Sequence, residues 1–235
     1  MEKRPQDNEK TWDTIAQSFN TTRNKPWKQC IDFIQQLPDT YTIADLGCGN
    51  GRHLLPCAEH CKKAIGLDIS KKLLNITKNK IKKQHLNNTE LIHADITQLP
   101  LKENTMDAII FIAALHNIRG RKKRIQSLKE VNRILKKNGR ALISVWSRWQ
   151  DRYRKHFIKK MLFNKKKHGR EEFGDIYIYW RQHSLNIPRY YHLYSKKEFI
   201  RDIKQSGLEI ENIQSVKIHS KIFPDNYFAI TKKKR

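Results

Sequence analysis

The chain has 235 residues, enough to bury the core of one α/β domain. Apolar residues make up 38% of it, in short runs that never approach the roughly 20 needed to cross a bilayer. Forty-eight Lys and Arg against 23 Asp and Glu give a net charge of +25, which points to a polyanionic partner such as nucleic acid. The opening MEKRPQDNEK is polar and carries no secretory signal, so the four cysteines, Cys30, Cys48, Cys57 and Cys61, are expected as reduced thiols in a cytoplasmic protein. His53, Cys57, His60 and Cys61 share one helical stripe, but no loop-borne CxxC pair accompanies them, and no metal site is assigned.

In chain order, residues 1–10 read as disordered and residues 11–37 as an N-terminal helical cap, with Pro26 opening its second helix. Residues 41–146 then alternate strand and helix. YTIADLG is a buried strand, and a helix follows from about Arg52 to Cys61. KKAIGLD is a second strand, and SKKLLNITKNKIKKQ an amphipathic helix capped by Ser70. TELIHAD is a third strand. MDAIIFIAAL, almost entirely apolar, is a fourth and central one. Residues 121–136 form a helix with Leu128, Val131, Ile134 and Leu135 inward; Asn138 and Gly139 make a turn, and GRALISVW is the fifth strand. Residues 147–188 read as a basic, irregular insertion. Residues 189–235 supply a helix at about 195–206 and two closing strands, near 208–218 and 225–232. The whole is a single α/β domain: a seven-stranded, mostly parallel sheet with an antiparallel last strand and helices on both faces.

ADLGCGNG carries the chemistry. Gly47, Gly49 and Gly51 let the backbone turn tightly between strand and helix and approach a ligand closely. A dinucleotide site wants G-x-G-x-x-G, whereas this run is G-x-G-x-G with Arg at position 52 and Asp45 two residues before the first Gly. That segment resembles the first motif of the Rossmann-like class I methyltransferases. The resemblance implies S-adenosylmethionine as cofactor, with Asp45, Gly47, Gly49, Asn50 and Gly51 around its methionine end. It also implies Asp68 with Ile69 at the ribose, Asp95 with Ile96 at the adenine, and Ala113 alongside.

Three further segments, TWDTIAQSFNTTRNKPW, AALHNI and PRYYHLYSKKEFIRDIKQSG, resemble the tRNA wobble-uridine carboxyl methyltransferases, which esterify 5-carboxymethyluridine in the anticodon. A carboxylate acceptor is already ionised at neutral pH, its pKa lying near ~4, so it needs positioning and desolvation rather than a general base. The resemblance places Arg23 and His116 at that acceptor as catalytic residues, with Arg189, Tyr190, Tyr191 and His192 as further substrate-holding candidates. From Ser147 to Arg170 ten Lys and Arg, among them Arg148, Arg152, Lys155 and Lys159, are interleaved with Trp149, Tyr153, Phe157 and Phe163. This pattern suits phosphate neutralisation and stacking on unpaired bases, so it is the expected RNA-binding element. The resemblance also implies a small zinc-binding activator protein at the edge of the third strand, near Leu91 and Ile92. The competing readings are the same enzyme class with another acceptor (other RNA, a small acid or a protein), or a non-catalytic RNA-binding protein of the same fold.

Overall fold

A computed structural model describes residues 7–163 and 171–234. Helix α1 (Asn8–Thr22) starts earlier than the sequence suggests, because Asp7 accepts the Lys10 N–H at 3.2 Å and Glu9 lies in the first turn. The expectation of disorder over residues 1–10 is therefore corrected for residues 8–10; residues 1–6 lie outside those described. Pro26 does not open α2 (Lys28–Gln35). Trp27 is the N-cap instead, held extended while its backbone N–H donates to His53 Nε2 at 3.3 Å.

The core follows as β1 (Thr42–Leu46), α3 (Leu54–His60), β2 (Lys63–Asp68), α4 (Lys71–Lys83), β3 (Thr89–His93), β4 (Met106–Ile112), a short 3-10 turn (Leu115–Asn117), α5 (Arg121–Ile134) and β5 (Leu135–Trp146). Ser70 caps α4 as its sequence predicts, its hydroxyl accepting the Leu73 N–H at 3.1 Å. The fifth strand begins before Asn138 and Gly139, which form an irregularity inside it with Asn138 at φ 66°. Beyond it come α6 (Arg154–Phe163), β6 (Asp175–Trp180), β7 (Ile187–His192), α7 (Lys196–Gln205), β8 (Leu208–Val216) and β9 (Asn226–Lys233).

The seven-stranded sheet has the order β3-β2-β1-β4-β5-β9-β8. β3 to β5 run parallel, and β9 is antiparallel to both of its neighbours. Strand alternation divides the apolar residues between two cores. Ala44, Leu46, Ile109 and Phe111 face α5 and α7, whereas Ile43, Ala108 and Ile110 face α2, α3 and α4. Each fully buried Ile or Phe contributes roughly 1.5–3 kcal/mol of transfer free energy, so both faces are held.

The described residues of the 147–188 segment are not irregular. They form α6 and a hairpin, β6 paired antiparallel with β7, so a boundary at 189 would cut through a strand. The hairpin packs on Phe157, Leu193, Trp146 and Trp149 as a third, smaller apolar cluster. Its odd and even positions part company. Arg189 and Tyr191 turn toward a cavity, while Tyr190 and His192 enter an ion network. In that network Asp175 accepts from Tyr190 and His192, both at 2.7 Å, and His192 also lies 3.0 Å from Glu198. Glu172 takes Arg124 at 2.6 Å, and Arg148 pairs with Glu198. Glu172, Asp175 and His192 could ligate a metal by position alone. Each carboxylate already holds a guanidinium, hydroxyl or N–H, however, so the cluster reads as an anchor for the hairpin.

Candidate active site

A cavity of about 430 Å³ opens above the carboxyl ends of β1, β2, β4 and β5, covered by α1 on one side and by the β6–β7 hairpin on another. This is where an open parallel sheet leaves a crevice for a ligand.

One wall is the glycine loop. It is clamped from two sides: the Gly47 and Cys48 N–H groups donate to Leu67 O at 2.7 and 3.0 Å, and the Thr77 hydroxyl donates to Gly49 O at 2.8 Å. Asp68 ties the loop to α4, accepting the Gly49 N–H on Oδ2 and the Ser70 N–H on Oδ1, both at 2.8 Å. Gly47 has φ 71°, and a Cβ there would lie 2.5 Å from Ala114 Cβ. Any side chain would meet both backbone strain and a clash. Ala113 sits opposite at φ 54°, a left-handed conformation that costs a non-glycine residue energy and recurs at ligand sites. Burial pushes the Asp68 carboxyl up to about 6 despite its backbone donors.

Gly47, Gly49, Asn50, Asp68, Ile69, Asp95, Ile96 and Ala113 all line the cavity. Asp45 and Gly51 are not among its lining residues. Gly51, at φ 81°, packs where a Cβ would lie 2.8 Å from Thr77 Cγ2. Asp45 is buried, its Oδ2 has no partner, and burial followed by nearby Asp68 drives its pKa up to about 8. These two shape the loop from beneath. The unpartnered Asn50 Oδ1 and the acids Asp68 and Asp95 at successive strand ends suit a nucleoside with an amino-acid end.

The opposite wall is aromatic and cationic. His116, in the 3-10 turn after β4, accepts the Trp146 N–H on Nδ1 at 3.1 Å, which leaves the ring proton on Nε2. Burial, then the charges of His192 and Arg189, lowers its pKa to about 3, so it is a neutral donor. Tyr191 stacks on His116 and on Trp146, with ring centroids 5.3 and 5.0 Å apart. Arg23 and Arg189 flank the Trp180 ring. Arg52, stacked 5.0 Å from Trp27, has its pKa lowered to about 10 by burial and then by Arg23.

Arg23, His116, Arg152, Arg189 and Tyr191 thus line one cavity with the glycine loop. Lys155 and Lys159 stand exposed on α6, outside it. Three expectations are corrected. Arg148 does not face solvent: it is 8% exposed, donates to Leu193 O at 3.1 Å and pairs with Glu198. Tyr190 and His192 point away from the cavity into the hairpin's ion network. Lys165 to Arg170 fall outside the described residues. The sequence reading also passed over Trp146, Trp180, Asn117 and Asn226. Each is at or just beyond a strand end, and that position is the signal that could have found them.

Comparison with known proteins places this geometry. Residues 44–143 match the family described as Methyltransferase domain. The chain is 36% identical over 160 residues to a tRNA (carboxymethyluridine(34)-5-O)-methyltransferase of Xenopus tropicalis, covering 68% of this chain and 24% of that protein. It is 28% identical to the Schizosaccharomyces pombe protein of the same description, covering 83% of this chain and 86% of that one. The Haloferax volcanii methyltransferase solved in complex with the Trm112 methyltransferase activator superposes with a TM-score of 0.70 at 15% identity, over 97% of this chain and 98% of that one.

Proposed function

From the premise that this chain has the class I methyltransferase fold with a methyltransferase domain at its core, we propose that it is an S-adenosylmethionine-dependent tRNA methyltransferase. Its product on this reading is the methyl ester of 5-carboxymethyluridine at the anticodon wobble position. One observation carries the reading. A single cavity joins the glycine loop with Asp68 and Asp95 to a wall of cations, stacked aromatics and a neutral histidine donor.

The chemistry follows from those groups. Asp68 would take the ribose hydroxyls and Asp95 the adenine side, with Ile69, Ile96 and Ala113 against the base and the glycine loop around the methionine end. The cofactor, when bound, supplies an activated methyl group on a sulfonium. An acceptor carboxylate needs no deprotonation at neutral pH, so the chain's task is to orient it, strip its water and hold its charge. Arg23 supplies charge, and His116 Nε2–H supplies a hydrogen bond to an oxygen that keeps partial charge through transfer. Trp146 and Tyr191 offer faces on which an unpaired base can stack. Arg152 at the rim, with Lys155 and Lys159 on α6, would follow the anticodon backbone. The four buried free thiols suit a reducing compartment, which supports a cytoplasmic site of action.

Support for an activator comes from the β3 edge of the sheet and from the assembly of the Haloferax volcanii neighbour. A small zinc-binding partner adding to that edge beside Leu91 and Ile92 would complete the reading. The test incubates the full chain, with and without such an activator, with labelled S-adenosylmethionine and bulk tRNA. Label entering tRNA is expected, with loss of the activator's effect in Ile92→Arg; label entering protein or small acids instead would overturn the reading.

A further inference from the structure

The loop between β8 and β9, residues 217–225, is fixed by two carboxylates. Asp225 accepts the backbone N–H groups of Ile218, His219 and Ser220 at 2.8, 2.6 and 3.0 Å. Asp151, from the turn before α6, accepts those of Lys221, Ile222 and Phe223 at 2.8, 2.9 and 3.2 Å. Six successive donors of a surface loop thus go to charged acceptors, and the Asp151 N–H returns a bond to Ser220 Oγ at 3.3 Å. Such charge-assisted bonds hold the loop's backbone in one conformation without help from a packed interior. Its base belongs to the cavity, which His219 and Ser220 line together with Asp151 and Arg152.

The tip of the loop leaves its apolar groups in water. Ile222 is 63% exposed and Phe223 41%. Singly exposed apolar side chains are ordinary, but a loop fixed so as to present two neighbouring ones offers a surface for contact. One flank of the Phe223 ring is engaged, since the Arg154 guanidinium lies 4.8 Å from its centroid. The charges around the tip decide what it meets. Lys217 and Lys221 are exposed on the loop, as are Arg152 and Lys155 near Arg154 in the chain. Asp151 and Asp225 are instead spent on the loop's backbone. An apolar tip among cations suits a polyanion with flat apolar faces, which is single-stranded nucleic acid.

We propose that the 217–225 loop is a stacking platform for one unpaired base that flanks the acceptor nucleotide. Phe223 lies under that base, Ile222 against its edge, and Lys217 and Lys221 at the adjoining phosphates. The proposal rests on the tRNA methyl-transfer reading of the cavity and adds a contact beyond it, because neither Ile222 nor Phe223 lines the cavity. Every base has a face to stack, so the platform sets the register of the strand without reading its sequence. The loop is already ordered, and little conformational entropy is lost when the base docks.

The test pairs changes in the protein with changes in the RNA. The full chain, alone and with activator, is titrated with an anticodon stem-loop bearing 5-carboxymethyluridine. Two further stem-loops lack the base on the 5′ side or on the 3′ side of that uridine. Each titration is repeated with Phe223→Ala and Phe223→Trp, and melting curves confirm folding. Phe223→Ala is expected to weaken binding of the intact stem-loop about tenfold. That loss should vanish on one abasic RNA and persist on the other. Phe223→Trp should restore binding, and affinity for S-adenosylhomocysteine should not change in either variant. An equal loss on all three RNAs, or no loss on any, overturns the platform. So does a Phe223→Ala defect confined to vesicles of phosphatidylserine and phosphatidylcholine, which would make the tip a membrane contact. Methyl transfer to tRNA by the wild-type chain, with no RNA-binding defect in Phe223→Ala, overturns the platform alone. A wild-type chain that neither binds nor methylates the RNA overturns the underlying reading with it.

Discussion

His116 and Asp68 are buried titratable groups that their surroundings treat oppositely. The His116 pKa falls from 6.5 to about 3, because burial disfavours the imidazolium. The unfolded chain therefore takes up this proton first. The stability that a neutral His116 contributes is full above pH 6.5 and is lost as pH falls toward 3. Across pH 6–8 the ring stays a neutral donor, so the pH profile of kcat should show no His116 titration there. His116→Gln, which keeps an N–H, should retain most activity, whereas His116→Ala should lose about a hundredfold in kcat. A His116-dependent rise in kcat near pH 6.5 would instead make it a base. Asp68 runs the other way, its pKa raised from 3.8 to about 6 by burial. The proton stabilises the folded form below 3.8, and that contribution is lost as pH rises through 6. Only the ionised carboxylate accepts two hydroxyls well, so affinity for S-adenosylhomocysteine should fall about fivefold between pH 6 and 5. Asp68→Asn should flatten that slope in calorimetry. At this scale the glycines, Asp68, Asp95, Arg23 and His116 were legible, because their residue types and spacing leave few other uses. Arg148 and His192 were not. Their types suit RNA or substrate contact equally well, and only the partners Glu198 and Asp175 show where they are spent.

The β6–β7 hairpin is the element that turns a common sheet into this site. One face of β7 delivers Arg189 and Tyr191 to the cavity, and the other is tied to Asp175, Glu198, Glu172 and Arg124. Glu198 also closes the capping box of α7, its backbone N–H donating to the Ser195 hydroxyl at 3.2 Å. Glu198→Ala would leave Arg148 and His192 short of a partner in the interior, a loss of about 3–5 kcal/mol in urea unfolding. Ser195→Ala removes only the cap and should cost about 1 kcal/mol. Equal costs for the two would mean that the network holds nothing beyond the helix end. The hairpin is obscured in the sequence for a physical reason. DIYIYW and IPRYYH mix polar and aromatic residues of buried and intermediate exposure, and a proline and a basic neighbourhood break the apolar pattern that marks core strands. The parallel strands show the reverse: β4, buried on both sides between β1 and β5, could be nothing else.

At the scale of the molecule, the charge of +25 and the position of the cavity belong to one design. Arg152 at the rim and Lys155 and Lys159 on the neighbouring helix extend a positive field outward from the Arg23–Arg189 pair. Replacing Lys155 and Lys159 with Ala should weaken tRNA binding and reduce its log–log salt slope by about 0.7 per lost phosphate contact, without changing affinity for S-adenosylhomocysteine. An unchanged slope would remove α6 from the RNA path. Fold class, the central fourth strand and the glycine loop could be read from the chain because periodicity and glycine spacing are local signals. The pairing of α1 with the hairpin across the cavity could not, because Ser18 and Trp180 meet only through tertiary structure. The central claim is that this cavity esterifies a wobble-uridine carboxylate. Its most direct test is nucleoside mass spectrometry of tRNA rich in 5-carboxymethyluridine, after incubation with the chain, activator and S-adenosylmethionine. The account predicts that 5-carboxymethyluridine disappears as its methyl ester appears in equal amount, and that mild base restores it. Unchanged 5-carboxymethyluridine, with a base-stable methyl group on another nucleoside, would contradict it.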